Sequence, residues 1–338
     1  MKKHQAKAVI MAGGQGERFW PLTHKEFPKY RIRLDNRESL LQKTYRRLLK
    51  IYSVRDIHVV TTRDHVRFIR EELPFLDRAR LIVEPERRNT APAIFLSVSL
   101  LARDFGEEAV VSFFPADHLI KDERIFKDTL KRAVLLARKG ERLVTVGIEP
   151  TFAATGYGYI QTGSPVQGVP GACEAARFVE KPSRRKALGY LKKGNFLWNG
   201  GIFTWRAGVF LRAMKTWAPQ IGEGLDLGSP AEGYGRLPKI SIDCALLEKA
   251  RNIAVIRSGM DWCDMGSWDM FLQKSMHGHF ASGPSHHRRS RDSLLLNYRK
   301  APLVTLGVSD LIVVHTDRGT LICKRGFSEE AARMAEVS

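Results

Sequence analysis

With 338 residues, 43% of them hydrophobic and 27% charged, the chain has the composition of a soluble globular protein and enough length for one large domain and a smaller one. No apolar stretch approaches the roughly 18 residues of a membrane span, and the amino terminus lacks the apolar run of a signal peptide, so a cytoplasmic protein with no membrane partner is expected. The formal net charge of +19 is the outlier; most of the excess is dispersed and carries no interleaved aromatic residues, which favours small phosphate-rich substrates over nucleic acid.

The expected elements follow in chain order. Ala8 to Met11 is apolar without alternation, as in a central strand of a parallel sheet. It runs into a glycine-rich loop, Gly13-Gly14-Gln15-Gly16, followed by Arg18, Pro21 and the Pro28-Lys29 pair. Such a loop can turn main-chain amides toward phosphate oxygens. It is neither a dinucleotide fingerprint, since Phe19 stands where a third glycine would be needed, nor a Walker loop, since no Gly-Lys-Ser/Thr closes it. A purely structural turn is the remaining alternative.

Helical spacing predicts helices over 40–52, 63–73, 91–102 and 123–139, alternating with strands over 57–61, 81–83, 110–114 and 142–147. That alternation implies right-handed crossovers and ligands gathered at the carboxyl ends of the strands, where the glycine loop, Glu84 to Thr90 and Asp117 all fall. Beyond residue 150, strands at 155–160 and 176–180 suggest an antiparallel insert. Helices near 183–192, 206–217 and 241–250 and strands at 198–205 and 252–257 follow.

Segment 274–292 is rich in His, Ser, Gly and Arg and reads as a linker, after which four short strands and a helix around 328–336 suggest a small all-β unit. The expected fold is α/β, with a Rossmann-like, mostly parallel sheet, an antiparallel insert and that carboxyl-terminal unit. The expected domains are 1–275 (catalytic), 276–292 (linker) and 293–338. Four scattered cysteines, at 173, 244, 263 and 323, fit reduced thiols rather than a zinc site or disulfides.

Asp117 directly follows a buried strand and reads either as a turn aspartate or as a ligand for a hard divalent cation, which takes one or two protein carboxylates and completes its shell with phosphate and water. Asp264, between Trp262 and Trp268, is the best second carboxylate; Asp261 and Asp269 are nearby alternatives, and either could be a cap. Glu180-Lys181 could bind a sugar hydroxyl and a phosphate together, and Asn199 offers an amide beside bare backbone at Gly200 and Gly201. No nucleophile–base arrangement emerges. Glycine loop, cations and carboxylates together suit transfer at phosphorus, where catalysis is mainly positioning and charge stabilisation.

The loop Gly13–Thr23 with Pro28-Lys29 resembles the signature of the sugar-1-phosphate nucleotidylyltransferases. Asn89–Ala93, Pro115–His118, Thr155–Ile160, Glu180–Pro182, Trp198–Phe203 and Trp262–Trp268 then stand in the order found in the mannose-1-phosphate guanylyltransferase branch of that family. The resemblance covers about residues 7 to 272. It implies transfer of GMP from GTP to mannose 1-phosphate with Mg2+ or Mn2+. It also implies roles by position: Arg18, Lys29 and the amides of Ala12, Gly13, Gly14 and Gly16 at the triphosphate, and Asp117 and Asp264 at the metal. Lys181 would hold the sugar phosphate, Glu180, Asn199 and the Gly156 backbone the mannose hydroxyls, and Glu84, Pro85, Asn89 and Thr90 the guanine and ribose.

Departures from the pattern are Tyr30-Arg31-Ile32 where Gln-Phe-Leu is usual, Gly200 where serine is usual, and a poor match over 280–297. Members that also isomerise mannose 6-phosphate carry a long cupin extension, so a single activity is expected. The carboxyl-terminal unit is expected to pack across the catalytic domain or to make the contact of a homodimer.

Overall fold

The computed structural model describes residues 6–14, 16–33, 37–224, 230–275 and 279–335. The chain divides into two compact units, the first comprising Met1–Gly13, Thr44–Ala116 and Ile120–Trp262, the second Gly14–Lys43, Asp117–Leu119 and Cys263–Ser338.

The first unit is built on a nine-stranded sheet. Its strands are β1 (Lys7–Met11), β2 (Ile57–Thr62), β3 (Leu81–Glu84), β4 (Val110–Pro115), β5 (Leu143–Ile148), β6 (Tyr159–Pro165), β7 (Ala172–Val179), β8 (Phe196–Arg206) and β9 (Ile253–Ser258). They lie in the order β3-β2-β1-β4-β8-β5-β9-β7-β6. β1 to β4 pair in parallel, β8 runs antiparallel between β4 and β5, and β6 and β7 form the antiparallel insert. Met11 stands level with Pro115 across the β1–β4 pair, so these two central strands end side by side, one just before Gly13 and the other just before Asp117.

Apolar residues on both faces explain why β1, β2 and β5 show no alternation: almost every one of their residues is buried. Helices α1 (Leu40–Leu49), α2 (Val66–Glu72), α3 (Thr90–Phe105) and α4 (Glu123–Lys139) fall close to the expected spans. α3 is apolar almost all round and is packed in a core with Val9, Phe113, Trp205 and Phe210. After α5 (Arg184–Lys193) come α6 (Ala207–Trp217), α7 (Pro219–Gly222) and α8 (Pro230–Tyr234).

Two expectations in this unit are corrected. Residues 155–158 precede the strand rather than belong to it: the paired backbone begins at Tyr159, and Gly156 lies exposed. The stretch expected as a helix near 241–250 is a π-helical turn over Asp243–Leu247. Ala245, Leu246 and Leu247 are all buried there, so the local apolar pattern looks helical.

The second unit carries its own core, in which Phe19, Leu22, Ile32, Trp268, Phe271, Leu294, Ile312, Val314 and Leu321 are buried together. After α9 (Trp268–Ser275), short strands β10 (Phe280–Ser282), β12 (Leu294–Asn297), β14 (Leu311–Thr316) and β15 (Gly319–Lys324) form one sheet, with β10, β12 and β14 parallel. β11 (Ser285–Arg288) pairs in parallel with β13 (Leu303–Leu306), and α10 (Ser328–Ala335) closes the unit.

The segment expected as a linker thus contains two strands, and its first residues, 276–278, lie outside the described residues. The strand-forming part was hidden because His286, His287 and Arg288 are exposed, so no apolar periodicity marks it. Asp269 holds the start of α10, accepting hydrogen bonds from Gly326 N at 2.6 Å, Ser328 N at 3.1 Å and Ser328 Oγ at 2.5 Å. It is therefore a cap, whereas Asp261 pairs with Lys121 at 3.7 Å. Among the described residues no helix is long and apolar enough to cross a membrane.

Candidate active site

In the second unit the glycine loop is shaped around Lys29. Gly16 has φ of +76°, and a Cβ there would lie 2.4 Å from Lys29 Cβ, so only glycine fits on both counts. Thr23 Oγ1 donates to Gly16 O at 2.5 Å and fixes the bend. Lys29 begins a 3-10 turn behind Pro28 and is only 8% exposed. A buried ammonium needs partners. It has two: its Nζ is 2.6 Å from Asp117 Oδ2 and donates to the backbone carbonyl of Asp264 at 2.8 Å. Lys29 thus joins the two predicted metal aspartates, which spacing alone could not connect.

Burial works against the Asp117 charge, but Lys29, His118 and a backbone N–H outweigh it and hold the carboxyl below its ordinary value. Its side chain remains 27% exposed. Asp264 Oδ2 and Oδ1 stand 3.1 and 3.2 Å from where a Cβ of Gly266 would be, and Arg18 Nη1 stands 3.5 Å from that point. The missing side chain at Gly266 therefore leaves a small space bounded by a carboxylate and a guanidinium. Met265 between them is buried with φ of +52°, an unusual backbone for a non-glycine residue. Arg18, half exposed, also lies 3.7 Å from Glu329 on α10. Tyr30, the departure after Lys29, is 1% exposed and belongs to the packing around the turn.

In the first unit, the predicted nucleotide residues sit at the carboxyl ends of β1 and β3. Ala12 N donates to Val60 O at 2.9 Å, and Ala12 O accepts from Thr61 Oγ1 at 2.6 Å, so its backbone is committed to the sheet. Glu84, 5% exposed, accepts from the Tyr234 hydroxyl at 2.6 Å. Burial pushes its carboxyl up to about 7, against the pull of Tyr234 and Arg87. Pro85 is half-buried. Asn89 has φ of +69°, and its side chain accepts from Thr90 N at 2.8 Å as the cap of α3. Thr90 Oγ1 accepts from Ile242 N at 2.9 Å. Asn89 and Thr90 thus have structural duties besides any ligand contact.

The predicted sugar residues form a second cluster in the same unit. A Cβ at Gly158 would lie 2.8 Å from Glu180 Oε2, whereas one at Gly156 would meet nothing within 4 Å. Gly158, rather than Gly156, is the glycine shaped to Glu180. Lys181, at φ of +41°, turns back so that its ammonium lies 2.9 Å from Glu180 Oε1.

Asn199 accepts from Thr145 Oγ1 at 3.0 Å and from Gly201 N at 3.3 Å, and donates to Asp243 Oδ1 at 2.8 Å. Burial first, and the nearby Glu180 second, push the Asp243 carboxyl up to about 7. A Cβ at Gly200 would lie 3.0 Å from Val146 O, a close approach to the backbone of β5. Asp243, Gly158, Tyr234 and Glu329 escaped the sequence reading. Only the Thr-Gly-Tyr-Gly motif carried a signal, since the other three are single polar residues in ordinary stretches.

The donor set of Asp117 and Asp264 fits a hard divalent cation. Both offer carboxylate oxygens, that of Asp264 set against the bare backbone of Gly266 and that of Asp117 partly exposed. Among the described residues no group of three or more His, Cys, Asp or Glu side chains closes around a metal position. Two carboxylates with the remaining positions left to phosphate and water is the pattern of a magnesium site.

The chain belongs to the nucleotidyl transferase family, which it matches over residues 7–279. Within that family its similarity is to the mannose-1-phosphate guanylyltransferases. The Escherichia coli protein of that name is 34% identical over 346 residues, an alignment covering 97% of this chain and 73% of the relative. One from Sinorhizobium fredii is 32% identical, covering 97% and 69%. A crystal structure from Thermus thermophilus, described as a mannose-1-phosphate geranyltransferase, superposes with a TM-score of 0.89 at 30% identity, covering 98% of this chain and 99% of that one.

Proposed function

We propose that this chain transfers GMP from GTP to mannose 1-phosphate, releasing pyrophosphate and forming GDP-mannose. The observation that carries the reading is the buried Lys29 ammonium set between Asp117 and Asp264, in a chain whose relatives bear the guanylyltransferase name. The attacking oxygen of a sugar phosphate is already anionic at neutral pH, so the reaction needs no protein base. It needs alignment of attacking and leaving oxygens and neutralisation of phosphate charge.

In this reading Arg18 and Lys29 take the triphosphate and the departing pyrophosphate, together with backbone N–H groups of Gly13, Gly14 and Gly16. The Ala12 N–H is engaged with Val60 O, so Ala12 contributes the shape of the turn. Glu84, Pro85, Asn89 and Thr90 border the guanine and ribose. Lys181 steadies the sugar phosphate, while Glu180, Asn199 and the Gly156 backbone meet the mannose hydroxyls. Asp117 and Asp264 would hold Mg2+ or Mn2+, which supplies positive charge to phosphate oxygens when bound.

A matrix of nucleoside triphosphates against sugar 1-phosphates, read as pyrophosphate release with and without Mg2+, tests the proposal. GTP with mannose 1-phosphate is expected to dominate and to require the cation. Preference for a non-guanine nucleotide, or for a sugar other than mannose, overturns it.

A further inference from the structure

Glu84 is a buried carboxyl for which no structural ion pair accounts. It ends β3 at 5% exposure, and among the described residues it has no salt-bridge partner within 4 Å. Burying a carboxylate without a cation is costly. One of its oxygens is engaged: Oε2 accepts from the hydroxyl of Tyr234, a residue of α8 with 0% exposure. The other, Oε1, lies 3.8 Å from where a Cβ of Gly13 would be, so it faces the first glycine after β1. A carboxylate with one oxygen clamped and the other left against a glycine is shaped to accept a hydrogen bond from an incoming group.

We infer that Tyr234 is a positioning residue for base selection, clamping Glu84 so that Oε1 accepts from the N–H edge of guanine. The inference rests on the reading that GTP is the nucleotide. Guanine presents two neighbouring donors, N1–H and the exocyclic amine, whereas adenine presents an acceptor at the equivalent ring nitrogen. A site built around an acceptor rejects the base that lacks the donor. The clamp also acts on charge. Burial raises the Glu84 carboxyl to about 7, while Tyr234 and Arg87 pull it down. Arg88 acts on the Tyr234 hydroxyl and pairs with Glu86 at 2.8 Å, and the Glu86 carboxylate lies 2.9 Å from the Cβ position of Gly235, beside Tyr234. Losing the hydroxyl would move ionisation to higher pH, and the carboxyl would be mostly protonated at neutrality.

The test is Tyr234→Phe beside Glu84→Gln, with KM for GTP, KM for mannose 1-phosphate and kcat measured from pH 6 to 9, and thermal melting measured in parallel. Tyr234→Phe is expected to raise KM for GTP about tenfold at pH 7, the size of a hydrogen bond to a charged group. The defect should deepen at pH 6 and shrink by pH 8.5, with kcat and the sugar-phosphate KM within about twofold. Glu84→Gln, which keeps the shape but cannot ionise, is expected to raise KM for GTP at every pH and to weaken discrimination against ATP.

If the wild type prefers GTP and Tyr234→Phe leaves its KM unchanged across pH, the role of Tyr234 is overturned and the proposed reaction stands. If KM for both substrates, kcat and the melting temperature all move together without pH dependence, Tyr234 is merely structural and the inference fails. A wild type with no preference for GTP overturns the proposed reaction and this inference with it.

Discussion

The Lys29 ammonium and the Asp117 carboxylate meet at 2.6 Å in the second unit, although distant parts of the chain supply them. Lys29→Met should lower turnover by at least about 100-fold if the ammonium neutralises phosphate charge. The same variant has a signature independent of activity. The Asp117 carboxyl is held below its ordinary 3.8, so its pairing stabilises the fold above about pH 4 and that contribution disappears as pH falls through the lowered value. Urea melts from pH 7 to pH 3 should show this component of acid destabilisation in the wild type and its loss in Lys29→Met. Identical pH profiles would mean that the pair contributes nothing.

Gly16 and Gly14 should part company under the same substitution. Gly16→Ala places a Cβ 2.4 Å from Lys29 Cβ on a backbone with φ of +76°, and is expected to cost about 1–3 kcal/mol of stability and most of the activity. A Cβ at Gly14 meets nothing within 4 Å, so Gly14→Ala should stay within about 0.5 kcal/mol of wild type. Equal behaviour of the two in calorimetry and turnover would show that the loop does not brace Lys29.

A similar pair of substitutions separates Gly158 from Gly156. In Gly158→Ala the new methyl would press on Glu180 Oε2, with Phe178 Cζ and Asn199 Cβ at 3.0 and 3.3 Å. The expected result is a roughly tenfold rise in KM for mannose 1-phosphate with KM for GTP unchanged, the size of one misplaced hydrogen bond. Gly156→Ala should be silent in both constants. A silent Gly158→Ala would remove Glu180 from sugar binding.

Asp243, held by Asn199 at 2.8 Å, should make the protein sensitive to alkali rather than acid. Its carboxyl is raised from 3.8 to about 7, so the folded state holds a proton that the unfolded chain has released, and stability falls as pH rises between those values. Asp243→Asn removes that slope and keeps an oxygen for Asn199. Relative to wild type, the variant should gain on the order of 1–3 kcal/mol between pH 4 and pH 8. Parallel wild-type and variant stability curves over that range would show that Asp243 titrates normally.

The alternating strands and helices of the first unit were legible because β1, β2 and β5 are buried on both faces and α4 is one-sided. β11 was not, because a strand with His286, His287 and Arg288 exposed looks like any polar loop. The π-helical turn at Asp243 was hidden for the opposite reason, since buried Ala245, Leu246 and Leu247 imitate an ordinary helix.

In the site, motifs pointed to Lys29, Asp117 and Asp264, but the lysine contacts that join the two aspartates arise from long-range packing that spacing does not encode. Tyr234 and Asp243 act only through the side chains they touch. A lone tyrosine or aspartate carries no local mark of such a partner.

The second unit is assembled from stretches far apart in the sequence: Gly14–Lys43 is made well before Asp117–Leu119 and Cys263–Ser338. Trp268 Nε1 donates to Trp20 O at 3.0 Å, the Trp20 ring lies 3.0 Å from the Cβ position of Gly319, and Phe19 packs edge-on against Trp268. During vectorial synthesis the loop that bears Arg18 and Lys29 therefore leaves the ribosome long before these partners exist. A nascent chain stalled before residue 263 would hold the loop without the Trp268 and Gly319 backing against which Phe19 and Trp20 are set, so the conformation of the loop is settled by residues made 248 or more positions later.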